Sequence, residues 1–157
     1  MTKTNVMRLL DAAGIPYSTA EYEYDEADLS GTHAAQEIGY PPEQVFKTLV
    51  TRGDKNGINV FCIPVDQELD LKKAATVSGN KKIEMIHVKE LLGLTGYIRG
   101  GCSPIGMKKK FPTYLDETCI LFDEIAVSAG MRGEQIILSP DELCAYIGAE
   151  KAELTCS

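Results

Sequence analysis

Val45-Phe46-Lys47-Thr48-Leu49-Val50, then Asp54-Lys55-Asn56-Gly57, then Ile58 through Val65: this run decides the fold. β-Branched and aromatic residues fill both apolar arms, and Asn-Gly favours a tight hairpin turn. Two antiparallel strands follow. Strand faces alternate, so Lys47 shares a face with Val45 and Leu49. An ammonium there must snorkel out, find a partner or face a cavity. The same pattern also suits an edge-strand lysine that discourages aggregation. Two later glycine loops could supply the cavity: Gly100-Gly101-Cys102-Ser103-Pro104 and Ser128-Ala129-Gly130-Met131-Arg132-Gly133.

Working outward, Val6, Leu9, Leu10 and Ala13 recur at helical spacing, and Gly14 and Pro16 stop that helix. Tyr17 to Tyr24 alternates as a strand. Thr32 is the expected cap of a short helix that ends at Gly39. Beyond the hairpin, Asp70 caps a helix over Leu71–Val77, Ile83–Ile86 forms a strand, and Val88–Leu92 forms a helix stopped at Gly93. Short strands are expected near 113–115, 119–122, 125–128 and 135–138. Ser139-Pro140-Asp141-Glu142 opens a last helix that stops at Gly148. Hairpins mixed with helices, and no linker or repeat, predict one α+β domain over residues 1–157 with a mixed sheet.

The chain has 157 residues, 44% hydrophobic and 25% charged, enough for one domain with a real core. No apolar stretch approaches the roughly 20 residues of a membrane span. The N-terminus leads into an amphipathic pattern and not a signal-peptide core, so the expected location is cytoplasmic, with no membrane partner. Five cysteines form no CxxC pair and there are two histidines, which argues against a disulfide framework or a metal site. A net charge of −7 excludes nonspecific coating of nucleic acid, although lysines clump at 72–73, 81–82 and 108–110 and Arg99 and Arg132 stand near the glycine loops.

No complete catalytic signature is present: no GxSxG, P-loop, HExxH or GxGxxG. His33 reads as a surface residue and His87 as a helix cap. The glycine loops offer more. Gly100-Gly101 lets backbone approach a ligand and aim N–H groups at it, Ser103 adds a hydroxyl, and Ser128-Ala129-Gly130 makes a second small-residue wall. Such walls suit a compact polar group, such as a carbonyl or phosphate oxygen.

Five features occur in order: Tyr22, Val45-Phe46-Lys47-Thr48-Leu49, Leu69-Asp70-Leu71-Lys72-Lys73, Thr95 to Gly106, and Val127 to Gly133. The set resembles the YbaK/EbsC aminoacyl-tRNA deacylases, relatives of the editing insertion of bacterial prolyl-tRNA synthetase. The resemblance runs from residue 4 to about 150. It implies a mostly antiparallel, barrel-like sheet flanked by helices. It also implies a cofactor-free, metal-free hydrolase that clears wrong amino acids from tRNA. Within the family the chain is most similar to the branch that acts on Cys-tRNA(Pro). Cysteine is close to proline in size, and so small a difference gives too little discrimination without a second, editing site. In this branch the cysteinyl thiol is taken to attack its own ester, which would account for the lack of a nucleophile–base pair.

The resemblance assigns catalytic roles to Lys47, Tyr22, Gly101 and Ser128. It assigns substrate contacts to Gly100, Ser103, Gly130, Arg132 and Gln135, and implies prolyl-tRNA synthetase as a partner that holds the tRNA body. Two positions depart from the pattern. Gln135 stands where better-known members carry an acid, so it can accept a hydrogen bond but brings no charge. Cys102 stands where an aliphatic residue is expected and reads as a small filler, since no histidine is placed to activate it. The alternatives are a deacylase for Ala- or Ser-charged tRNA that positions a water, a cysteine hydrolase using Cys102, and a non-catalytic module that binds an aminoacyl-tRNA or nucleotide.

Overall fold

The expected hairpin is the spine of the larger of two sheets in the computed structural model, which describes residues 3–156. Strands β2 (Phe46–Gly53) and β3 (Gly57–Pro64) pair antiparallel from Phe46 opposite Pro64 to Gly53 opposite Gly57. Asn80 locks the turn between them: its Oδ1 accepts the N–H groups of Lys55 and Asn56 at 2.9 and 3.3 Å. The remaining elements are α1 (Asn5–Ala13), β1 (Ser18–Glu21), α2 (Gly31–Ile38), α3 (Leu71–Ser78), β4 (Ile83–Met85), α4 (Val88–Thr95), β5 (Thr113–Asp116), β6 (Ile125–Ser128), β7 (Glu134–Leu138), α5 (Pro140–Ile147) and β8 (Glu150–Ala152). The larger sheet has the order β4-β2-β3-β5-β8 and the smaller β1-β7-β6. β5 runs parallel to both β3 and β8, and the other pairs are antiparallel. The mixed α+β class holds.

The barrel-like closure does not. The sheets stay open and, among the described residues, meet at one parallel bridge, Val45 to Ala126. Val45 spends its N–H on the Pro42 carbonyl at 3.2 Å, and its carbonyl accepts the Val65 N–H at 2.8 Å. Pro41 and Pro42, just before it, have no N–H to extend the ladder. The bridge therefore cannot grow into a strand pair.

Alternation places the cores. On β3, Val60 and Cys62 face one way and Phe61 and Ile63 the other; on β7, Ile136 and Leu138 oppose Ile137. The main core fills the space between the sheets with Phe46, Val50, Val60, Ile125, Val127, Ile136 and Leu138, covered by Val6, Met7 and Leu10 of α1. α3 covers the outer face of the larger sheet through Ala74 and Ala75 on Phe61 and Ile63. A third cluster, Ala35, Val45, Val65, Ala126 and Ile137, packs α2 over the seam.

Four local readings change. Ser30 and not Thr32 caps α2, its Oγ accepting the His33 N–H at 3.3 Å. α4 passes through Gly93 and ends at Gly96, which takes the left-handed φ of 86° that glycine allows. Residues 119–122 are not a strand. Asp116 accepts from the Thr118 N–H and hydroxyl at 3.2 and 2.6 Å and winds Glu117–Leu121 into a 3₁₀ turn with Ile120 and Leu121 exposed. β8 was not expected. The other carboxylate oxygen of Asp116 accepts the Leu154 N–H at 3.0 Å just past that strand, and Lys151 ion-pairs with Asp141. Among the described residues no helix is long and apolar enough to cross a membrane.

Candidate active site

The open seam between the sheets forms a cleft of about 330 Å³. β2 brings Phe46, Lys47 and Thr48 to it. The chain after β1 brings Tyr22, the start of α2 brings Ser30 and Gly31, the 99–102 loop brings Arg99, Gly100 and Cys102, and β6 and β7 bring Ser128 and Gln135. Ser128 and Gln135 sit directly opposite each other on β6 and β7, and Ala20 of β1 lies on the other side of Gln135. The floor is thus a row of small and amide side chains across the smaller sheet. Gly31 is fitted to its place: a Cβ there would lie 2.3 Å from Cγ1 of Val65, so α2 can close on the seam only without a side chain at that position.

Lys47 is the partly buried cation of this cleft. Its Nζ lies 3.4 Å from the Val65 carbonyl, and among the described residues no carboxylate lies within ion-pair distance. Burial lowers its pKa below the ordinary lysine value, while Glu68 and Asp66 pull the other way. Arg99 is exposed at the rim. Burial raises the Tyr22 hydroxyl pKa, offset in part by the Gly133 N–H and the Gln135 amide beside it. Gln135 is 7% exposed and its Oε1 is buried with no hydrogen-bond partner. The lining contains no aspartate, glutamate or histidine.

Of the residues expected at the site, Lys47, Tyr22, Gly100, Ser128 and Gln135 come together, and four do not line the cleft. Gly101 is buried against the other glycine loop: a Cβ there would sit 3.0 Å from Arg132 N and Met131 C. Ser103 is fully buried, its Oγ accepting the Ile105 N–H at 3.3 Å. Gly130 lies under Val6 and Tyr97, which leave 3.0 and 3.1 Å for a Cβ. Arg132 straps the loops together, its Nε donating to the Arg99 carbonyl at 2.8 Å. These four hold the walls in place. Ser128 shares that work, because its Oγ accepts the Gly130 N–H at 3.1 Å.

Beyond the residues expected at the site, the polar side chains of Arg99, Cys102, Ser30 and Thr48 also line the cleft. Arg99 and Cys102 flank the glycine pair in sequence, which was the available signal. Ser30 lies two residues before Thr32, the residue expected to cap the short helix. Burial pushes the Cys102 thiol up to about 12, against the opposing effect of the Thr95 side chain. It is a neutral thiol at physiological pH, not a thiolate nucleophile. His33 lies outside the cleft, 3.8 Å from Asp28 and 3.7 Å from Glu37.

A shallow groove of about 690 Å³ lies on the far side of Tyr22, lined by Glu21, Tyr24, Arg132 and Glu134 among others. Glu21 and Glu134 are cross-strand partners. Burial and the facing Glu21 carboxyl push Glu134 up to about 7.

Residues 29–146 match the family model for the aminoacyl-tRNA editing domain. The chain is 51% identical over 153 residues to an Enterococcus faecalis protein provisionally named Cys-tRNA(Pro)/Cys-tRNA(Cys) deacylase EbsC, covering 98% of this chain and 93% of that one. It is 28% identical over 143 residues to the Escherichia coli K12 protein named multifunctional Ser/Thr-tRNA deacylase ProXp-y, covering 88% and 83%. A crystal structure described, provisionally, as a trans-editing enzyme for prolyl-tRNA synthetase superposes with a TM-score of 0.85 at 28% identity over the whole of both chains. With the family model spanning most of the sequence, and a relative that shares half its residues from end to end, the chain belongs to the aminoacyl-tRNA editing domain family.

Proposed function

We propose that this protein edits Cys-tRNA(Pro) in trans, beside prolyl-tRNA synthetase, by deacylation. The observation that carries the reading is the makeup of the cleft: two cations, glycine backbone and small walls, with no nucleophile–base pair. Such a site binds and positions an anionic, compact substrate but has no side chain equipped to attack it. A cysteinyl ester brings its own nucleophile and asks for none from the protein. Its sulfur bonds to the ester carbonyl carbon, the bond from that carbon to the terminal ribose oxygen breaks, and the thiol proton ends on that oxygen. The products are a cyclic thiolactone and free tRNA.

Lys47 and Arg99 hold the phosphate of the terminal adenosine, Gly100 brings backbone to the ester, and Tyr22, Ser128 and Gln135 enclose the aminoacyl group. Gly101, Ser103, Gly130 and Arg132 act on the substrate only through the loops they shape. The chain is 51% identical to EbsC and 28% identical to the Ser/Thr-tRNA deacylase, which favours cysteine over serine or threonine as the released amino acid. A protein of net charge −7 binds free tRNA weakly at physiological salt, so the synthetase supplies the hold on the tRNA body.

Single-turnover deacylation of Cys-tRNA(Pro), Ala-tRNA(Pro) and Ser-tRNA tests this. The expected result is release of cysteine only, abolished by Lys47→Ala. Release of alanine or serine at comparable rates would show that the substrate thiol is dispensable and that a water is the nucleophile. Binding without any release would make the protein a carrier of aminoacyl-tRNA.

A further inference from the structure

We propose that the cleft takes its aminoacyl ester with the α-amine as the uncharged free base, held by the Gln135 amide N–H, and not as the ammonium. The inference rests on the deacylase reading above and specifies the form of substrate that the site accepts.

The exposed cation Arg99 lies at the rim, and Gln135 and Ser128 form the buried floor. The phosphate end of an aminoacyl-adenosine belongs at the cationic rim, and the compact aminoacyl group fits the small-residue floor. The α-amine therefore meets Gln135. The side-chain amide there has its oxygen buried without a partner, while its NH₂ group lies beside the Tyr22 hydroxyl. Of the two polar atoms of the amide only the oxygen is shut in without a partner, so the edge left open is the NH₂ donor. A free amine has a lone pair to receive that N–H; an ammonium has only hydrogens and meets the donor unfavourably.

The surrounding charges point the same way. Lys47 of β2 and Arg99 of the 99–102 loop are the charged groups lining the cleft, and both are cations. The titratable groups that share it, Tyr22 after β1 and Cys102, are held neutral at physiological pH by burial. β6 contributes Ser128, and the start of α2 contributes Ser30 and Gly31, all uncharged. Glu134, next to Gln135 on β7, projects to the opposite face and pairs with Glu21, and Asp66 and Glu68 act on Lys47 from outside the lining. A positive charge at the aminoacyl end of the ligand would enter a cleft whose charged lining residues are both cations, with no carboxylate to receive it.

The free base also accounts for the proton in the proposed reaction. As sulfur bonds to the carbonyl carbon, the neighbouring amine takes the thiol proton and passes it to the departing ribose oxygen. No protein base is required, and none is present in the lining.

The test is proton-linked binding, independent of turnover. The ligand is 3′-(2-aminobutyryl)amido-3′-deoxyadenosine 5′-phosphate. Its amide cannot be released, and its methyl replaces the thiol so that no sulfur titrates. The control is the same molecule without the amine. Calorimetry at pH 6 in buffers of different ionisation enthalpy reads the protons released, and subtracting the control removes those that come from Lys47 or other protein groups. Wild type should release about one more proton per amine-bearing ligand. With an amine near the ordinary α-amino value, it should also bind roughly 40-fold more weakly at pH 6 than at pH 8.5. Gln135→Glu should abolish both effects by offering the ammonium a carboxylate, and Gln135→Met should weaken binding of the amine-bearing ligand by more than it weakens the control. Binding with no extra proton released by wild type overturns the inference and leaves the deacylase reading standing. Failure of both ligands to bind at any pH overturns both.

Discussion

Gly101→Ala separates a residue that touches substrate from one that shapes the site. Gly101 lacks the left-handed φ that would itself demand glycine, so the effect of alanine there is steric. The added Cβ would lie 3.0 Å from Arg132 N and Met131 C, and 3.1 Å from Met131 Cα. All three are backbone atoms, which cannot rotate away like the end of a side chain. The two glycine loops must part by a few tenths of an ångström, straining the nearby bond from Arg132 Nε to the Arg99 carbonyl. Overpacking of this kind costs about 1–3 kcal/mol. For a chain of this size, about 2 kcal/mol lowers Tm by roughly 4–8 °C. Because Arg99 and Gly100 move with the loop, deacylation should fall too, on the order of tenfold to a hundredfold, as misplaced positioning groups do. Thermal unfolding and single-turnover deacylation are measured on the same preparation, with Lys47→Ala alongside; that variant should lose activity with little change in Tm. An unchanged Tm in Gly101→Ala with a large loss of rate would refute the reasoning and return Gly101 to direct contact with substrate.

Other expectations concern titration and packing. Burial lowers the Lys47 pKa, so the alkaline limb of the rate profile should turn down below the ordinary lysine value of 10.5, and Lys47→Arg, if active, should remove that limb. Cys102→Ala should keep most of the activity, since a thiol raised to about 12 is not the nucleophile; loss of turnover with unchanged binding would revive a cysteine mechanism. Asp116 is 1% exposed and accepts three hydrogen bonds, so Asp116→Ala should cost about 3 kcal/mol and free the β8 end of the larger sheet, seen as faster amide exchange at Leu154. Glu134 is raised from 4.5 to about 7 in the fold, so its contribution is present below pH 4.5 and is lost as pH rises through 7. Glu134→Gln should flatten the decline of Tm across that interval, and an unchanged slope would show that the pair does not titrate there.

Much of the fold was legible because its signals are local. Asn-Gly between two apolar arms gave the central hairpin, and Ser139-Pro140 gave the start of α5. The misread pieces depend on partners distant in sequence. Residues 119–122 look like a strand until Asp116 turns them into a 3₁₀ helix, and β8 exists because β5 offers it an edge. Closure of the sheet failed on a detail the sequence did contain, two prolines before Val45, whose effect is visible only once Ala126 is seen opposite. At the site, Lys47 stood out as a charge in an apolar strand and proved to face a cleft. The glycine loops stood out as well, but motif reasoning could not separate glycines that meet a ligand from glycines that meet each other. Gly100 and Gly101 are adjacent in sequence and belong to different kinds.

The seam itself has a consequence for how such a protein changes over time. The cleft walls belong to two sheets tied together, among the described residues, by a single bridge, and the distance between them is set by the side chains that fill the gap behind. Replacing Val127 or Phe46 by a residue of another volume would alter the opening between Lys47 and Gln135 while every lining side chain except Phe46 kept its identity. Substrate preference can therefore drift through the core. Two relatives with matching cleft residues need not share an amino-acid preference, and a comparison confined to the lining would miss the reason.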